Sequence, residues 1–154
     1  MVRFRPNVAA LFINEKGKLL ICERAGCPGN WQFPQGGADA GEKLRDALHR
    51  EILEEIGLQP KHYKVIGKRD GYRYLYPPDV REKKLQKHGH HGQEQTYYLC
   101  KLTAKESKIK VDQRPAEFQD HRWIKPKDFQ LEWLPKFKQD VYREVLRDFF
   151  GVEL

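Results

Sequence analysis

Residues Val8 to Ile13 form an unbroken apolar run, Asn14-Glu15-Lys16-Gly17 supplies turn chemistry, and residues 18–22 are apolar again after Lys18. Two short runs joined by a Gly-containing turn predict a β-hairpin. Residues 25–41 read as loop, punctuated by Gly26, Pro28, Gly29, Pro34, Gly36, Gly37 and Gly41. From about Glu42 to Ile56 the apolar positions recur at helical spacing, and Gly57 stands where a C-cap belongs. Tyr63 to Tyr76 is strand-like and carries Lys64, Lys68, Arg69 and Arg73, whereas residues 77–95 read as a polar, basic loop. Thr96 to Leu102 predicts a clean strand, and Arg122-Trp123-Ile124 a shorter one. Pro135 opens a last amphipathic helix with Val141, Val145 and Phe149 on one stripe. Interleaved strands and helices predict an α/β or α+β fold, one domain over residues 1–154.

The segment from Glu42 to Gly57 has an unusual charge placement. At about 100° per residue with Leu44 at zero, Ala47, Leu48, Ile52 and Ile56 define a buried stripe from about −60° to about 120°. Glu51, Glu54 and Glu55 fall at about −20°, −80° and 20°, beside or in line with that stripe. A run of glutamates usually belongs to a solvated face, but the open side of this helix holds Asp46 and Leu53 instead. Like charges at i, i+3 and i+4 repel by about 0.2–0.5 kcal/mol per pair even when exposed. Something must neutralise the trio. Hard divalent cations prefer carboxylate oxygens, and Mg²⁺ takes one or two of them together with water and substrate phosphates. A glutamate trio behind a Gly-rich loop therefore points to a Mg²⁺ site open to a phosphate ligand.

Composition agrees with an anionic partner. The chain of 154 residues has 29 Lys+Arg against 22 Asp+Glu, a net charge of +7, which favours phosphates, nucleotides or nucleic acid. Mean hydropathy is −0.82. That is polar for a globular protein, yet 3 Trp, 7 Tyr and 8 Phe are too many aromatics for a disordered chain. No apolar run approaches the roughly 20 residues of a membrane span, and the start of the chain lacks the apolar stretch of a secretory leader. Three cysteines, Cys22, Cys27 and Cys100, do not make a disulfide framework. A cytoplasmic setting is expected.

Gly36, Glu42, Arg50-Glu51-Ile52, Glu54-Glu55 and Gly57-Leu58 match the pattern G-x5-E-x7-R-E-U-x-E-E-x-G-U at every fixed position. Residues 36–58 thus resemble the box of the Nudix hydrolases. The resemblance implies an α/β/α sandwich with a mixed sheet and a loop–helix–loop catalytic motif. In it Glu51, Glu54 and Glu55 bind divalent metal (Mg²⁺, with Mn²⁺ as a substitute), and a backbone carbonyl near Gln35 touches the metal as well. Such enzymes cleave a nucleoside diphosphate linked to another group by attack of water on phosphorus. Arg50, one turn before Glu54, is placed to hold a carboxylate, with Glu42 as another partner.

Trp31-Gln32-Phe33-Pro34-Gln35-Gly36-Gly37 is similar to the signature of the RNA 5′-pyrophosphohydrolase and dinucleoside polyphosphate hydrolase branch. Arg5-Pro6-Asn7-Val8, Gly92-Gln93-Glu94-Gln95, Glu117-Phe118 and Phe137-Lys138-Gln139-Asp140-Val141-Tyr142 fit the same branch. The resemblance implies removal of pyrophosphate from 5′-triphosphorylated or diphosphorylated RNA, as in mRNA decay. Hydrolysis of diadenosine tetraphosphate, or a non-catalytic nucleotide-binding role, are the alternatives. It casts Glu117 as a further metal ligand and Arg5, Arg24, Gln35, Arg73, Phe137 and Lys138 as substrate-binding residues. Each has a plainer reading: a surface Glu or Arg, a half-buried strand around Arg73, or a core position for Phe137, four residues before Val141. His88, His90 and His91 are poorly spaced for zinc and read as solvated loop. A monomer without DNA specificity or membrane attachment is expected.

Overall fold

The computed structural model describes residues 1–154. Seven strands and three helices follow in order: β1 (Phe4–Ile13), β2 (Leu19–Arg24), β3 (Trp31–Gln32), β4 (Gln35–Gly37), α1 (Leu44–Ile56), β5 (Tyr63–Leu75), α2 (Pro78–His88), β6 (Gly92–Leu102), β7 (Phe118–Ile124) and α3 (Lys136–Phe150). The sheet runs β3-β2-β1-β6-β5, with β4 on β1 and β7 on β2. It is mixed, because β1 and β6 are parallel while the other pairs are antiparallel.

The unbroken apolar run in β1 has a simple cause: both faces of that strand are covered. Val8, Ala10 and Phe12 pack with Ala47, Leu48, Ile52 and Ile56 of α1. Ala9 and Leu11 pack with Val141, Tyr142, Val145 and Leu146 of α3. Successive side chains of a strand alternate sides, so one central strand feeds two cores. The expected α/β/α sandwich is thus present, with α1 and α3 on opposite faces. No helix is long and apolar enough to cross a membrane.

Some expectations need correction. The turn after β1 is real, but β1 and β2 share only the pair Ile13 and Leu19. β1 spends its length on β6, and β2 on β7 and β3. Apolar patterning marks strands without naming their partners. The stretch read as a basic loop contains α2, with Pro78 in its first turn and Gly89 as its left-handed C-cap. None of its residues is buried, so it lacks the apolar stripe that betrays a helix. His91 is likewise no free loop residue: its Nδ1 accepts the Arg3 amide N–H at 3.0 Å and its own N–H donates to the Arg3 carbonyl at 2.7 Å. Residues 25–41, read as loop, contain the short strands β3 and β4; the remaining spans agree with the reading to within a few residues.

Candidate metal and phosphate site

The site is built where β4 meets the flank of α1, and Arg50 organises it. Its Nε and Nη2 donate to the two oxygens of Glu42 at 2.9 and 2.8 Å, and Nη2 also to the Gly37 carbonyl at 2.9 Å. Nη1 donates to Glu51 Oε1 at 2.8 Å, while Glu54 lies farther off at 3.5 Å. The fork belongs to Glu42 rather than to Glu54. With an N–H bond from Asp39 added, Arg50 holds the Glu42 carboxyl down to about 2. One guanidinium thereby ties the loop to the helix.

The three glutamates differ sharply in surroundings. Glu55 is 3% exposed and accepts the Gln35 amide N–H at 2.9 Å. Burial pushes its carboxyl well up, and the charges of Glu51 and Glu117 add to the effect. Glu51 is raised for the same first reason, against the pull of Arg50. Its carboxyl occupies the space a side chain on residue 36 would need: a Cβ there would stand 2.0 Å from the Glu51 carboxyl carbon. Gly36 is thus dictated by close approach. Glu54 departs from expectation, with 56% of its side chain exposed. Its azimuth places it at the edge of the stripe, where α1 rolls off the sheet. Glu117, from the segment before β7, joins these three around an open hollow of about 410 Å³.

A second, larger cleft of about 610 Å³ begins at Glu117 and Gln35. Arg24, Lys84 and Lys138 supply its cations. Tyr74 and Phe137 supply an aromatic end, their rings 5.5 Å apart and inclined by 59°. Lys138 is so enclosed that burial, with Arg24 and Lys84 nearby, lowers its ammonium to about 8. A chain of buried amides underlies the cleft. Tyr97 Oη donates to Gln95 Oε1 at 3.0 Å, Gln95 Nε2 to Asn7 Oδ1 at 3.1 Å, and Asn7 Nδ2 to Gln35 Oε1 at 2.9 Å. The Gln93–Gln95 motif therefore positions Gln35 through Asn7.

Arg24, Gln35, Glu117, Phe137 and Lys138 thus meet in one cleft. Arg73 does not: it pairs with Glu94 at 3.3 Å and lies 4.9 Å from the Phe4 ring, whereas the neighbouring Tyr74 lines the cleft. Strand alternation turns Arg73 to the other face. Arg5 also stands outside. Its guanidinium covers Gly37 and lines an adjoining hollow with Asp39, Glu42 and His90. Sequence reasoning missed Lys84, Tyr76 and Gln32 in the cleft. Only the basic character of residues 81–88 hinted at Lys84.

The NUDIX domain profile matches residues 3–149. The chain belongs to the Nudix family. Curated relatives include an RNA pyrophosphohydrolase of Halorhodospira halophila, 39% identical over 96% of this chain and 81% of the relative. Another is the RNA pyrophosphohydrolase of Saccharophagus degradans, 38% identical over 94% of this chain and 85% of the relative. Among solved structures, the E. coli dihydroneopterin triphosphate pyrophosphohydrolase superposes with a TM-score of 0.70 at 15% identity, covering 97% of each chain. A C. elegans Ap4A hydrolase complex gives 0.66 at 16% identity, covering 96% of this chain and 98% of the other. At such identities these structures support the fold alone.

Nudix hydrolases generally use divalent metal. In this Nudix protein no three acidic, histidine or cysteine side chains are already gathered into a cage; Arg50 holds Glu51, and Glu54 is exposed. The donor set still fits a hard cation. It is all oxygen, it borders an open hollow, and two of its carboxyls are raised, by burial first and then by the neighbouring carboxylates. Turning Glu51 away from Arg50 and swinging in the exposed Glu54 would complete the set.

Proposed function

We propose that this protein is a Mg²⁺-dependent RNA 5′-pyrophosphohydrolase, with Mn²⁺ as a substitute ion. One observation carries the reading: Glu117 belongs both to the acidic hollow of Glu51, Glu54 and Glu55 and to a cleft bearing three cations and an aromatic end. A phosphate chain lying in that cleft brings one end to the carboxylates and the other to the rings. The curated relatives of similar length, named RNA pyrophosphohydrolase, support RNA as the substrate class.

The residues divide the work. Phe137, backed by the buried Tyr74, stacks on the first base, as aromatic side chains do with unpaired RNA bases. Arg24, Lys84 and Lys138 offset the charge of the triphosphate. Glu51, Glu54, Glu55 and Glu117, with the Gln35 carbonyl, would hold the divalent ion, and Arg50 with Glu42 ties the loop after β4 to the helix that carries the first three. When bound, the ion neutralises phosphate oxygens and activates water. Water attacks phosphorus, the phosphoanhydride bond breaks, pyrophosphate departs, and RNA with a 5′-monophosphate remains.

Diadenosine tetraphosphate also presents a nucleoside beside a phosphate chain, so direct competition is the test. The reading expects kcat/KM for 5′-triphosphorylated RNA to exceed that for diadenosine tetraphosphate by tenfold or more. The reverse order makes the protein a dinucleoside polyphosphate hydrolase. Hydrolysis of neither, with metal bound, makes it a binding module.

A further inference from the structure

We infer that α2 and the segment following it form a track for the RNA beyond its first nucleotide, running from the cleft over Lys84, Lys87 and His88 to Arg5, His90 and Arg3. The inference rests on the functional reading above and names where the rest of that substrate goes.

The track is continuous in space. Lys84 lines the cleft with Arg24 and Lys138. One helical turn on, His88 lies among Lys84, Lys87 and Arg5, and its ring is 6.5 Å from that of His90. His90 shares a hollow of about 500 Å³ with Arg5. The Arg3 guanidinium lies at Gly89, 3.6 Å from where a Cβ would stand, and is held to this segment by the backbone pairing of Arg3 with His91.

Little acid opposes the lysines and arginines of this track. Glu42, in the Arg5 hollow, is taken up by the Arg50 fork, Asp39 lies 3.8 Å from the same guanidinium, and Glu82 is the one acid within α2 beyond its first turn. Asp79 belongs to the start of α2, at the cleft. The crowding is unfavourable in the free protein: Lys84, His88 and His90 are all lowered, by burial first and then by their cationic neighbours. His90 Nδ1, shielded from solvent, has no hydrogen-bond partner. A polyanion relieves the crowding of cations along the track. A free mononucleotide, confined to the cleft, does not reach Arg3.

The test compares binding of a 5′-monophosphorylated dinucleotide and an oligoribonucleotide of about ten residues across a salt series, since each phosphate contact on single strands contributes about 0.7 to the slope of log K against log salt. The double variant Arg3→Gln/Lys87→Gln changes two exposed cations outside the cleft. For the longer RNA its slope is expected to be shallower by about 1.4, with weaker binding, while the dinucleotide slope stays within about 0.3 of wild type. Lys16→Gln/Lys105→Gln is the control. It removes the same charge at a hollow beyond Ile13, the other end of β1, about 30 Å away. An equal loss in the control, an unchanged slope in the track variant, or equal wild-type affinity for both RNAs overturns the track. Hydrolysis is a separate readout: inactivity on triphosphorylated RNA with the slope difference intact sinks the functional reading and leaves an RNA-binding surface.

Discussion

At the residue scale the site is a balance between burial and charge. Gly36 has no room for even a methyl group beside the Glu51 carboxyl. Gly36→Ala is expected to lower kcat at least 100-fold through displacement of Glu51, and to destabilise by about 1–3 kcal/mol from overpacking; activity and thermal unfolding check it together. Glu54 is exposed and supports no core contact. Glu54→Gln should therefore cut turnover by orders of magnitude at unchanged Tm, and near-normal turnover removes it from the metal set. Lys138 titrates at about 8, below the 10.5 of an unperturbed lysine. It is cationic below that pH and neutral above, so kcat/KM should fall as pH rises through 8, and Lys138→Arg should flatten that limb. Its effect on stability runs oppositely. A depressed pKa makes its contribution present above 10.5 and lost as pH falls through about 8.

At the element scale α1 does two jobs, packing through Ala47, Leu48, Ile52 and Ile56 and presenting carboxylates from its flank. Its end is fixed by Gly57 at φ 73°, where the backbone N–H closes on the Leu53 carbonyl. An L side chain in that region costs about 1–2 kcal/mol. Gly57→Ala should lower stability by that amount in denaturant unfolding, while Ile52→Ala, at the centre of the packed face, should cost about 2–5 kcal/mol. α1 was legible because its apolar period, its glutamates and its terminal glycine agree. α2 was not, because a helix that buries nothing shows no period; only Pro78 and Gly89 at its ends mark it.

At the scale of the whole molecule, a stable two-sided sandwich carries a locally unfavourable site. Glu51 and Glu55, raised in the folded state, add stability that is fully present below 4.5 and lost as pH rises through their folded values. The metal-free protein should accordingly melt higher at pH 5 than at pH 7, Glu55→Gln should reduce the difference, and divalent ion should restore stability at pH 7. Chelation should abolish activity with the fold retained, since both cores are built without those carboxylates. The sequence by itself determined the strands with two buried faces, the helix with misplaced acids and the loop before it, because period, turn chemistry and local spacing are properties of neighbouring residues. Tertiary structure decided that β1 pairs along its length with β6 and with β2 only at Ile13, that Arg73 faces away from the cleft while Lys84 enters it, and how Glu117, which the family resemblance already singled out, reaches the glutamates of α1. Each depends on residues distant in the chain, whose meeting is set by strand register and layer packing and leaves no trace in local pattern.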